Sequence, residues 1–256
     1  MSPRVTLLTD FGTRDGYLGA MKGALAAAVP GILMDDVSHD LPAGDVTSAL
    51  YALGRYWRLY PEGTVHLVVV DPGVGSARRA LACELDGRFL VAPDNGVASR
   101  ALDQASSWRA VEILAASLPG GGSASATFHG RDVFAPAAAH LALGRPLARL
   151  GRPLQDPLRL AEPIPERELG VARGMVVLVD RFGNLLTNLP GAWLDDASRA
   201  RIAERSVPVV RTYSDVEPGA LAALVGSDGR VEIAARDASA AELTGLGRGA
   251  GVLLLP

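Results

Sequence analysis

Short apolar runs alternate with helical patterns through the first half of the chain. Val5 to Thr9 is a continuous apolar run that stops at Asp10, which predicts a strand buried on both faces. Alanine and leucine dominate Tyr17 to Val29, and apolar residues at helical spacing follow Asp45, so we expect a helix in each place. Thr64 to Val70 repeats the strand pattern. This alternation of strands and helices predicts an α/β domain with a mixed, mostly parallel sheet.

A hairpin and a further helix complete this first domain. The apolar runs Ala80 to Leu85 and Phe89 to Ala92 flank Asp86-Gly87, a typical two-residue hairpin turn, which predicts an antiparallel pair within the sheet. A loop rich in glycine, serine and alanine, Gly120 to Ala126, precedes an alanine-rich helix predicted over Val133 to Leu143.

The second half of the chain has a different pattern, with short apolar runs separated by turns. These runs predict strands at Met175 to Val179, Val207 to Arg211, Leu221 to Val225, Arg230 to Ala234 and Val252 to Leu255. A smaller all-β domain is the simplest interpretation. We therefore expect an α/β domain over residues 1–160, a proline-containing linker over 161–172 and an all-β domain over 173–256.

Composition and charge narrow the class of protein. The 256 residues are 48% hydrophobic and 21% charged, which is ordinary globular composition. With 25 basic and 28 acidic residues and no basic run, we expect no binding to nucleic acid or to anionic membranes. The single cysteine, Cys83, excludes an intrachain disulfide and a cysteine-rich zinc site. Because Asp10 interrupts any signal region and no apolar stretch reaches membrane-spanning length, we expect a cytoplasmic protein.

Three aspartates, Asp10, Asp71 and Asp94, each lie just after a predicted strand. In an open α/β sheet the crevice beyond the carboxyl ends of the strands is where ligands bind, so the pattern indicates a site. The alternative is that each carboxylate only caps a helix or closes an Asx turn.

Arg78 and His129 are the other candidates for chemistry in this domain. Arg78, seven residues after Asp71, could keep that carboxylate ionised and oriented, although a surface ion pair is an equal alternative. His129 is predicted in a flexible loop between Phe128 and Gly130, where it is either a working imidazole or a hydrogen-bonded structural residue.

Several common kinds of site find no support in the sequence. The four histidines have no HxxxH or HxH spacing, which argues against zinc, although aspartates could hold Mg²⁺. The chain has no P-loop, no GxGxxG at a strand-to-helix turn and no GxSxG elbow. We therefore expect no metal, no cofactor and no nucleophilic serine or cysteine.

Two turns of the second domain carry polar groups. Asp180-Arg181-Phe182-Gly183-Asn184 follows a strand and places an aromatic ring beside an amide that can pair with the edge of a base. Ser227-Asp228-Gly229 is a second turn. On the residues alone, either turn is more simply interpreted as an ordinary hairpin connection.

Taken together, six motifs resemble those of one family. They are Leu8-Thr9-Asp10-Phe11-Gly12 with Asp15-Gly16-Tyr17, Val70-Asp71-Pro72-Gly73-Val74-Gly75, Ala92-Pro93-Asp94-Asn95-Gly96, Phe128-His129-Gly130-Arg131-Asp132, Asp180-Arg181-Phe182-Gly183-Asn184 and Glu232-Ile233-Ala234. They follow in order across nearly the whole chain. The set resembles the S-adenosyl-L-methionine hydroxide adenosyltransferases, or SAM hydrolases, which are kin of the fluorinase and chlorinase.

The resemblance implies a fold, a reaction and an assembly. It implies an N-terminal α/β domain and a barrel-like C-terminal domain, in a homotrimer whose active sites lie at subunit interfaces. The implied reaction is cleavage of S-adenosylmethionine by water to adenosine and methionine, without a metal or an added cofactor. Asp71, Arg78 and His129 match the family's water-handling triad.

The resemblance also implies eight substrate-binding residues. Asp10 would accept hydrogen bonds from the ribose hydroxyls, Phe182 would stack on adenine and Asn184 would pair with its edge. The others are Asp15 and Asp180 at the methionine ammonium, Ser227 at its carboxylate, and Glu232 and Ala235 closing over the ligand.

Departures from the halogenase pattern favour hydrolysis. In the halogenases a tyrosine matches Asp71, a threonine matches Val74 and a tryptophan matches Gly44, so the halide pocket is missing here. An arginine of the fluorinase matches Asp228, which leaves open how the methionine carboxylate is neutralised.

Two alternatives of other classes stay open at this stage. A non-catalytic binding module for adenosine or S-adenosylmethionine would keep Asp10, Phe182 and Asn184 without needing the triad. A Mg²⁺-dependent phosphohydrolase would use the three strand-end aspartates and lose activity in EDTA.

Overall fold

A computed structural model describes residues 2–119 and 124–256, so the expected loop from Gly120 to Ala126 lies mostly outside the described residues. The chain divides into two units, of which the first ends at Leu160 and the second spans Ala161–Pro256. In the described ranges no helix is both long and apolar enough to cross a membrane.

Seven strands form the sheet of the first unit, in the order β2-β1-β3-β5-β4-β6-β7. Their bounds are β1 Arg4–Thr9, β2 Leu33–Ser38, β3 Val65–Val69, β4 Ala80–Leu85, β5 Arg88–Pro93, β6 Trp108–Ile113 and β7 Gly151–Pro153. The ladders from β2 through β1 and β3 to β5 are parallel, and those of β4, β6 and β7 are antiparallel. The predicted mixed sheet and the β4–β5 hairpin are thus confirmed.

Helices cover both faces of this sheet. They are α1 Tyr17–Ala28, α2 Val46–Tyr56, α3 Ser99–Gln104 and α4 Ala135–Ala142. Alternate residues of β3 belong to two cores, since Val65, Leu67 and Val69 pack with α1 and α4 whereas Val68 packs with α2 and α3. Burial on both faces explains why the central strands consist of continuous apolar runs.

Helix boundaries follow local capping. Asp45 accepts a hydrogen bond from the backbone N–H of Ser48 at 3.1 Å and so begins α2 as predicted. The expectation that His129 lies in a flexible loop is wrong: it begins a helical segment, with a π-helical turn over Gly130–Phe134 that continues into α4.

The second unit is an antiparallel, nearly closed barrel. Its strands are β8 Glu166–Glu168, β9 Val171–Val179, β10 Leu185–Pro190, β11 Arg199–Ile202, β12 Arg205–Pro208, β13 Leu221–Val225, β14 Arg230–Ala235 and β15 Gly251–Leu255, with the short helix α5 at Ala240–Thr244. The order is β12-β11-β15-β9-β10-β14-β13, and a bridge between Val209 and Ala223 brings the two ends of this order together. Residues 161–172, expected as a linker, include β8 and the start of β9, which pair with each other.

Candidate active site

The carboxyl ends of β1, β3 and β5 form one edge of the first unit's sheet. These strands are parallel neighbours; Asp10 and Asp94 follow β1 and β5 directly, and Asp71 follows β3 after one residue. All three carboxylates therefore belong to the same edge, as the sequence pattern indicates. Their surroundings differ, and the differences separate a reactive group from a structural one.

Asp71, Arg78 and His129 are joined by hydrogen bonds. Arg78 Nε donates to Asp71 Oδ1 at 2.7 Å, and Arg78 Nη2 bonds both to Asp71 Oδ2 and, at 2.8 Å, to His129 Nδ1. The side chains of Arg78 and Asp71 are only 10% and 6% exposed, and the ring of Phe134 lies 5.1 Å from the guanidinium. Arg78 is therefore not in a surface ion pair, because its fork fixes two partners in a largely buried place.

The contact with Arg78 also defines the protonation of His129. A guanidinium only donates hydrogen bonds, so His129 Nδ1 must accept and a neutral ring carries its proton on Nε2. Burial and the charge of Arg78 lower the pKa of His129 below its usual 6.5, against the opposing charges of Asp71 and Asp132. At neutral pH the triad thus offers a carboxylate acceptor and an imidazole N–H donor.

Asp10 lies beside the triad in a cleft of about 130 Å³. Its Oδ2 accepts the backbone N–H of Gly44 at 2.7 Å, which fixes the direction of the carboxylate and leaves Oδ1 for a ligand. The cleft is lined by Asp10, Phe11, Gly44, Val69, Asp71, Pro72, Val74, Thr127, Phe128, His129 and Gly130. Asp71, Val74 and Gly44, the three positions at which the expected halide pocket is missing, are all in this lining.

Three aromatic rings flank the cleft. Phe128 makes edge contacts with Phe11 at 6.0 Å and with Tyr17 at 5.3 Å between ring centroids. Such edge-to-face pairs stabilise an aromatic cluster beyond simple burial. The cluster links the turn after β1 to the segment that carries His129. Asp15, one of the expected ligands of methionine, is exposed on this same turn.

Asp94 has a structural role. Its Oδ2 accepts from Arg79 Nε at 2.7 Å and its Oδ1 accepts the N–H of Leu158 at 2.8 Å, which fastens the end of the unit to the sheet. Each carboxylate oxygen of Asp94 thus accepts one hydrogen bond from the protein, as does each oxygen of Asp71. In the parts of the chain that the structure describes, no group of three or more His, Cys, Asp or Glu side chains could hold a metal ion. The arrangement gives no support to a three-aspartate magnesium site.

Asp132 is a residue to which the sequence analysis assigns no role. It accepts from Arg131 Nε at 2.6 Å and from the backbone N–H of Ser125 at 2.9 Å, and the Arg131 guanidinium lies 5.1 Å from the ring of Phe128. These contacts hold the segment before His129 against the π-helical turn. Its place three residues after His129 was the available signal, since that spacing joins neighbouring helical turns.

In the second unit the turn after β9 is built around Asp180. Its Oδ1 accepts the backbone N–H groups of Phe182 and Asn184, each at 2.9 Å, and its Oδ2 accepts Asn184 Nδ2 at 3.0 Å. Asn184 is buried, whereas Phe182 is 77% exposed in the single chain. The turn therefore presents an uncovered aromatic ring beside an oriented amide.

The remaining expected ligands lie on the β13–β14 hairpin of the same unit. Ser227 is exposed in its turn, and Ala235 is buried at the end of β14. Glu232 is buried and accepts from the hydroxyl of Tyr213, a partner that the sequence analysis missed. Burial, Glu232 and the charge of Asp180 raise the pKa of Tyr213 to about 12, so its hydroxyl stays a donor.

A mixed α/β unit carries, at its parallel edge, a largely buried Asp–Arg pair bonded to a half-buried histidine, and an antiparallel barrel follows in the same chain. These features define the class of two-domain protein to which this chain belongs. The family model described as the SAM hydroxide adenosyltransferase N-terminal domain matches residues 5–151, and that of the C-terminal domain matches residues 174–253. The chain is a member of the SAM hydroxide adenosyltransferase family.

Relatives with curated names agree with this membership. The chain is 43% identical to an (R)-S-adenosyl-L-methionine hydrolase of Thermus thermophilus, over 98% of this chain and 99% of the relative. It is 41% identical to one of Salinispora tropica, over 96% and 95%, and 29% identical to a fluorinase of an Actinoplanes species, over 77% and 74%. A crystal structure of an uncharacterized conserved protein from Thermotoga maritima superposes with a TM-score of 0.91 at 32% identity, covering 98% of this chain and all of the other.

Proposed function

We propose that this protein hydrolyses S-adenosyl-L-methionine to adenosine and L-methionine, with Asp71, Arg78 and His129 handling the water. The observation that carries the proposal is the triad itself, in which one largely buried guanidinium binds the carboxylate and the imidazole together. A module that only bound adenosine would not need this arrangement. The names of the full-length relatives support the same reaction.

The reaction needs an aligned oxygen nucleophile more than it needs an activated leaving group. The oxygen of water attacks the ribose C5′, the C5′–S bond breaks, and its electron pair stays on sulfur to give neutral methionine. The water's second proton leaves as the new C–O bond forms. Because the sulfonium is already a good leaving group, positioning of the water supplies much of the rate.

Two groups of the triad remain available to form hydrogen bonds with the water. The Nε2–H of neutral His129 donates to the water oxygen, and a remaining lone pair of Asp71 accepts a water proton. Arg78 keeps both groups in place and in these protonation states. The proton released as the C–O bond forms passes to Asp71, because both ring nitrogens of His129 are already engaged.

The same carboxylate disfavours a halide. An anion placed where the water binds would face the charge of Asp71 in a cleft that is partly screened from solvent, and like charges repel there more strongly than in bulk water. Water carries no such penalty. We therefore propose hydrolysis rather than halogenation, although fluorinases are among the relatives.

In the proposed homotrimer, the first unit of one subunit and the second unit of its neighbour each supply groups that hold the substrate. In the proposal, Asp10 Oδ1 accepts hydrogen bonds from the ribose hydroxyls. Phe182 stacks on adenine, and Asn184 forms hydrogen bonds with the edge of the base. The exposure of the Phe182 ring supports this role, since a large exposed aromatic surface favours a partner. Asp15, Asp180, Ser227, Glu232 and Ala235 complete the set toward the methionine portion and the closing face.

Stereochemistry, assembly and location extend the proposal. We assign the R diastereomer at sulfur as substrate, because the relatives' names specify it. We also assign a homotrimer with sites at subunit interfaces, which light scattering after size-exclusion chromatography would test. A cytoplasmic location fits a chain whose single cysteine, Cys83, is buried and unpaired.

The direct test is incubation with each sulfonium epimer in chloride-free H₂¹⁸O, with and without EDTA. We expect equimolar adenosine and methionine from the R epimer, ¹⁸O in the 5′-hydroxyl of adenosine, and no effect of EDTA. Mass spectrometry after liquid chromatography distinguishes these products. Label absent from adenosine, or a requirement for metal, would contradict attack by water at C5′ as proposed.

A parallel incubation with chloride tests the halogenase alternative. Appearance of 5′-chloro-5′-deoxyadenosine would overturn the choice of hydrolysis. Binding of S-adenosylmethionine without any turnover would instead identify a binding module. His140→Gln serves as a control variant, since His140 is buried on α4 and its Nε2 contacts the carbonyl of Pro146 at 3.0 Å, outside the cleft lining.

A further inference from the structure

The turn that carries Asp10 is fastened at two points to His39, a residue that the proposed reaction does not use. Thr9 Oγ1 lies 2.9 Å from His39 Nδ1, and the same oxygen accepts the N–H of Phe11 at 3.3 Å. The N–H of Gly12 donates to the carbonyl of His39 at 2.8 Å. The residues on both sides of Asp10 are thus fixed to one histidine.

The second ring nitrogen of His39 lies beside an acidic residue. His39 directly follows β2 and is 7% exposed, and its Nε2 lies within ion-pair distance of Asp36 Oδ1, at 3.1 Å. Asp36 Oδ2 accepts from Lys22 of α1 at 2.6 Å. Burial alone would raise the pKa of Asp36, but Lys22 and His39 outweigh it and lower the pKa. Asp36 therefore stays ionised beside His39.

The hydrogen atoms of this chain of contacts have a consistent arrangement. Thr9 Oγ1 accepts from the Phe11 amide, so its one hydroxyl proton is free to donate to His39 Nδ1. A neutral His39 then carries its own proton on Nε2, which faces Asp36. Successive contacts thus lead from Lys22 through Asp36, His39 and Thr9 to the backbone beside Asp10.

We propose that His39 is a positioning residue that aims Asp10 at the ribose of the substrate. This inference rests on the proposed function, in which Asp10 Oδ1 receives the ribose hydroxyls while Oδ2 is bound to Gly44. A carboxylate on a turn has few rotamers available once its neighbours are fixed, so loosening Thr9 and Phe11 would misdirect it. The sequence gives no signal for this role, because the contact between His39 and Thr9 spans 30 residues.

Two substitutions of His39 separate its two contacts. An asparagine amide reaches the place of Nδ1, whereas a glutamine amide reaches the place of Nε2. We expect His39→Gln to lose the bond to Thr9 and to bind adenosine about 10-fold more weakly, the scale of one well-placed hydrogen bond. His39→Asn keeps that bond and should bind adenosine like the wild type. Calorimetry with adenosine and with 2′,3′-dideoxyadenosine measures the effect, because only adenosine has the hydroxyls that Asp10 would receive.

Hydrogen–deuterium exchange of the free proteins provides a readout that needs no substrate. The amides of Phe11 and Gly12 should exchange faster in His39→Gln than in the wild type and in His39→Asn. His140→Gln, which replaces a histidine of similar burial, should leave both the exchange and the nucleoside preference unchanged. General destabilisation would instead weaken both nucleosides alike.

The outcomes distinguish this inference from the proposed function. If the wild type prefers adenosine and His39→Gln keeps both that preference and slow exchange, His39 has no positioning role and the inference is overturned. If the wild type binds the two nucleosides equally, the role of Asp10 is wrong, and the proposed substrate contacts fail together with the inference.

Discussion

The cleft of the first unit and the Asp180 turn of the second are built in opposite ways. In the cleft, Arg78 joins residues that are seven and 51 positions away, and all three side chains depend on the packed sheet edge. In the turn, the carboxylate of Asp180 bonds to residues two and four positions ahead, and the neighbouring Phe182 ring is exposed. The cleft is preorganised by tertiary structure, whereas the turn is preorganised locally. Catalytic positioning should therefore be fragile in the first, and affinity should be adjustable in the second without cost to folding.

We expect the largest effect from Arg78→Lys, because Arg78 bonds to both other members of the triad. Lysine keeps the positive charge but cannot bind Asp71 through two nitrogens while also reaching His129. We expect kcat/KM for S-adenosylmethionine to fall at least about 10²-fold, with adenosine affinity largely preserved. Steady-state kinetics and calorimetry measure the two quantities.

Arg109→Lys is the matched control for this variant. Arg109 also binds one carboxylate, Glu84, but its side chain is 71% exposed, so activity should not change. Equal activity of Arg78→Lys and the wild type would mean that the triad geometry does not support the rate.

His129 should give the cleft a characteristic acid limit. Its lowered pKa means that the ring is neutral at pH 7 and gains a proton on Nδ1 only below its usual 6.5, where it can no longer accept from Arg78. We expect kcat/KM to be flat down to that pH and then to fall. His129→Gln should be about 10²-fold less active at pH 7 and should lack this acid limb. A wild-type midpoint above pH 6.5 would contradict the lowered pKa.

Phe182→Ala tests the Asp180 turn of the second unit. Loss of a stacked base contact should weaken adenosine about 10-fold, near the lower end of what such stacking contributes. The melting temperature should not change, because the ring is 77% exposed in the single chain. Leu169→Ala, at a site 94% exposed in the same unit, controls for loss of apolar surface. Unchanged adenosine affinity in Phe182→Ala would mean that the adenine base does not stack on this turn.

The contrast between the two regions also explains what the sequence could predict. β1 and β3 are buried on both faces, so their apolar runs indicated them to within two residues. β2 contains Asp35 and Asp36, whose partners Arg4 and Lys22 are visible only in the folded protein, and no apolar run indicated it. Edge and polar strands lack the pattern that burial imposes.

The sequence likewise predicted some features of the candidate site and not others. The edge shared by the strand-end aspartates followed from sheet topology, but their separate roles did not. Asp94 is saturated by Arg79 and by the Leu158 amide, a contact across 64 residues that no spacing rule gives. The bond from Arg78 to His129 likewise depends on the π-helical turn after His129, for which the sequence has no recognised signature. The family resemblance supplied the grouping of Asp71, Arg78 and His129 that residue patterns alone left open.

We expect the smallest change in activity from His66→Asn. This variant distinguishes a loss of kcat/KM caused by protonation of His129 from one caused by acid unfolding. His66 is buried in β3, 2.8 Å from the hydroxyl of Thr6, and burial together with the charge of Arg88 lowers its pKa from 6.5 to about 3. Between those two values the unfolded chain binds a proton that the folded protein does not. The free energy of unfolding should therefore fall as pH decreases from 6.5, by up to about 1.4 kcal/mol per pH unit from this one group. Denaturant titrations at several pH values should show a shallower fall in His66→Asn, while its acid limb in kcat/KM stays that of the wild type. If that limb moved with the stability curve, it would report unfolding of the sheet rather than protonation of His129.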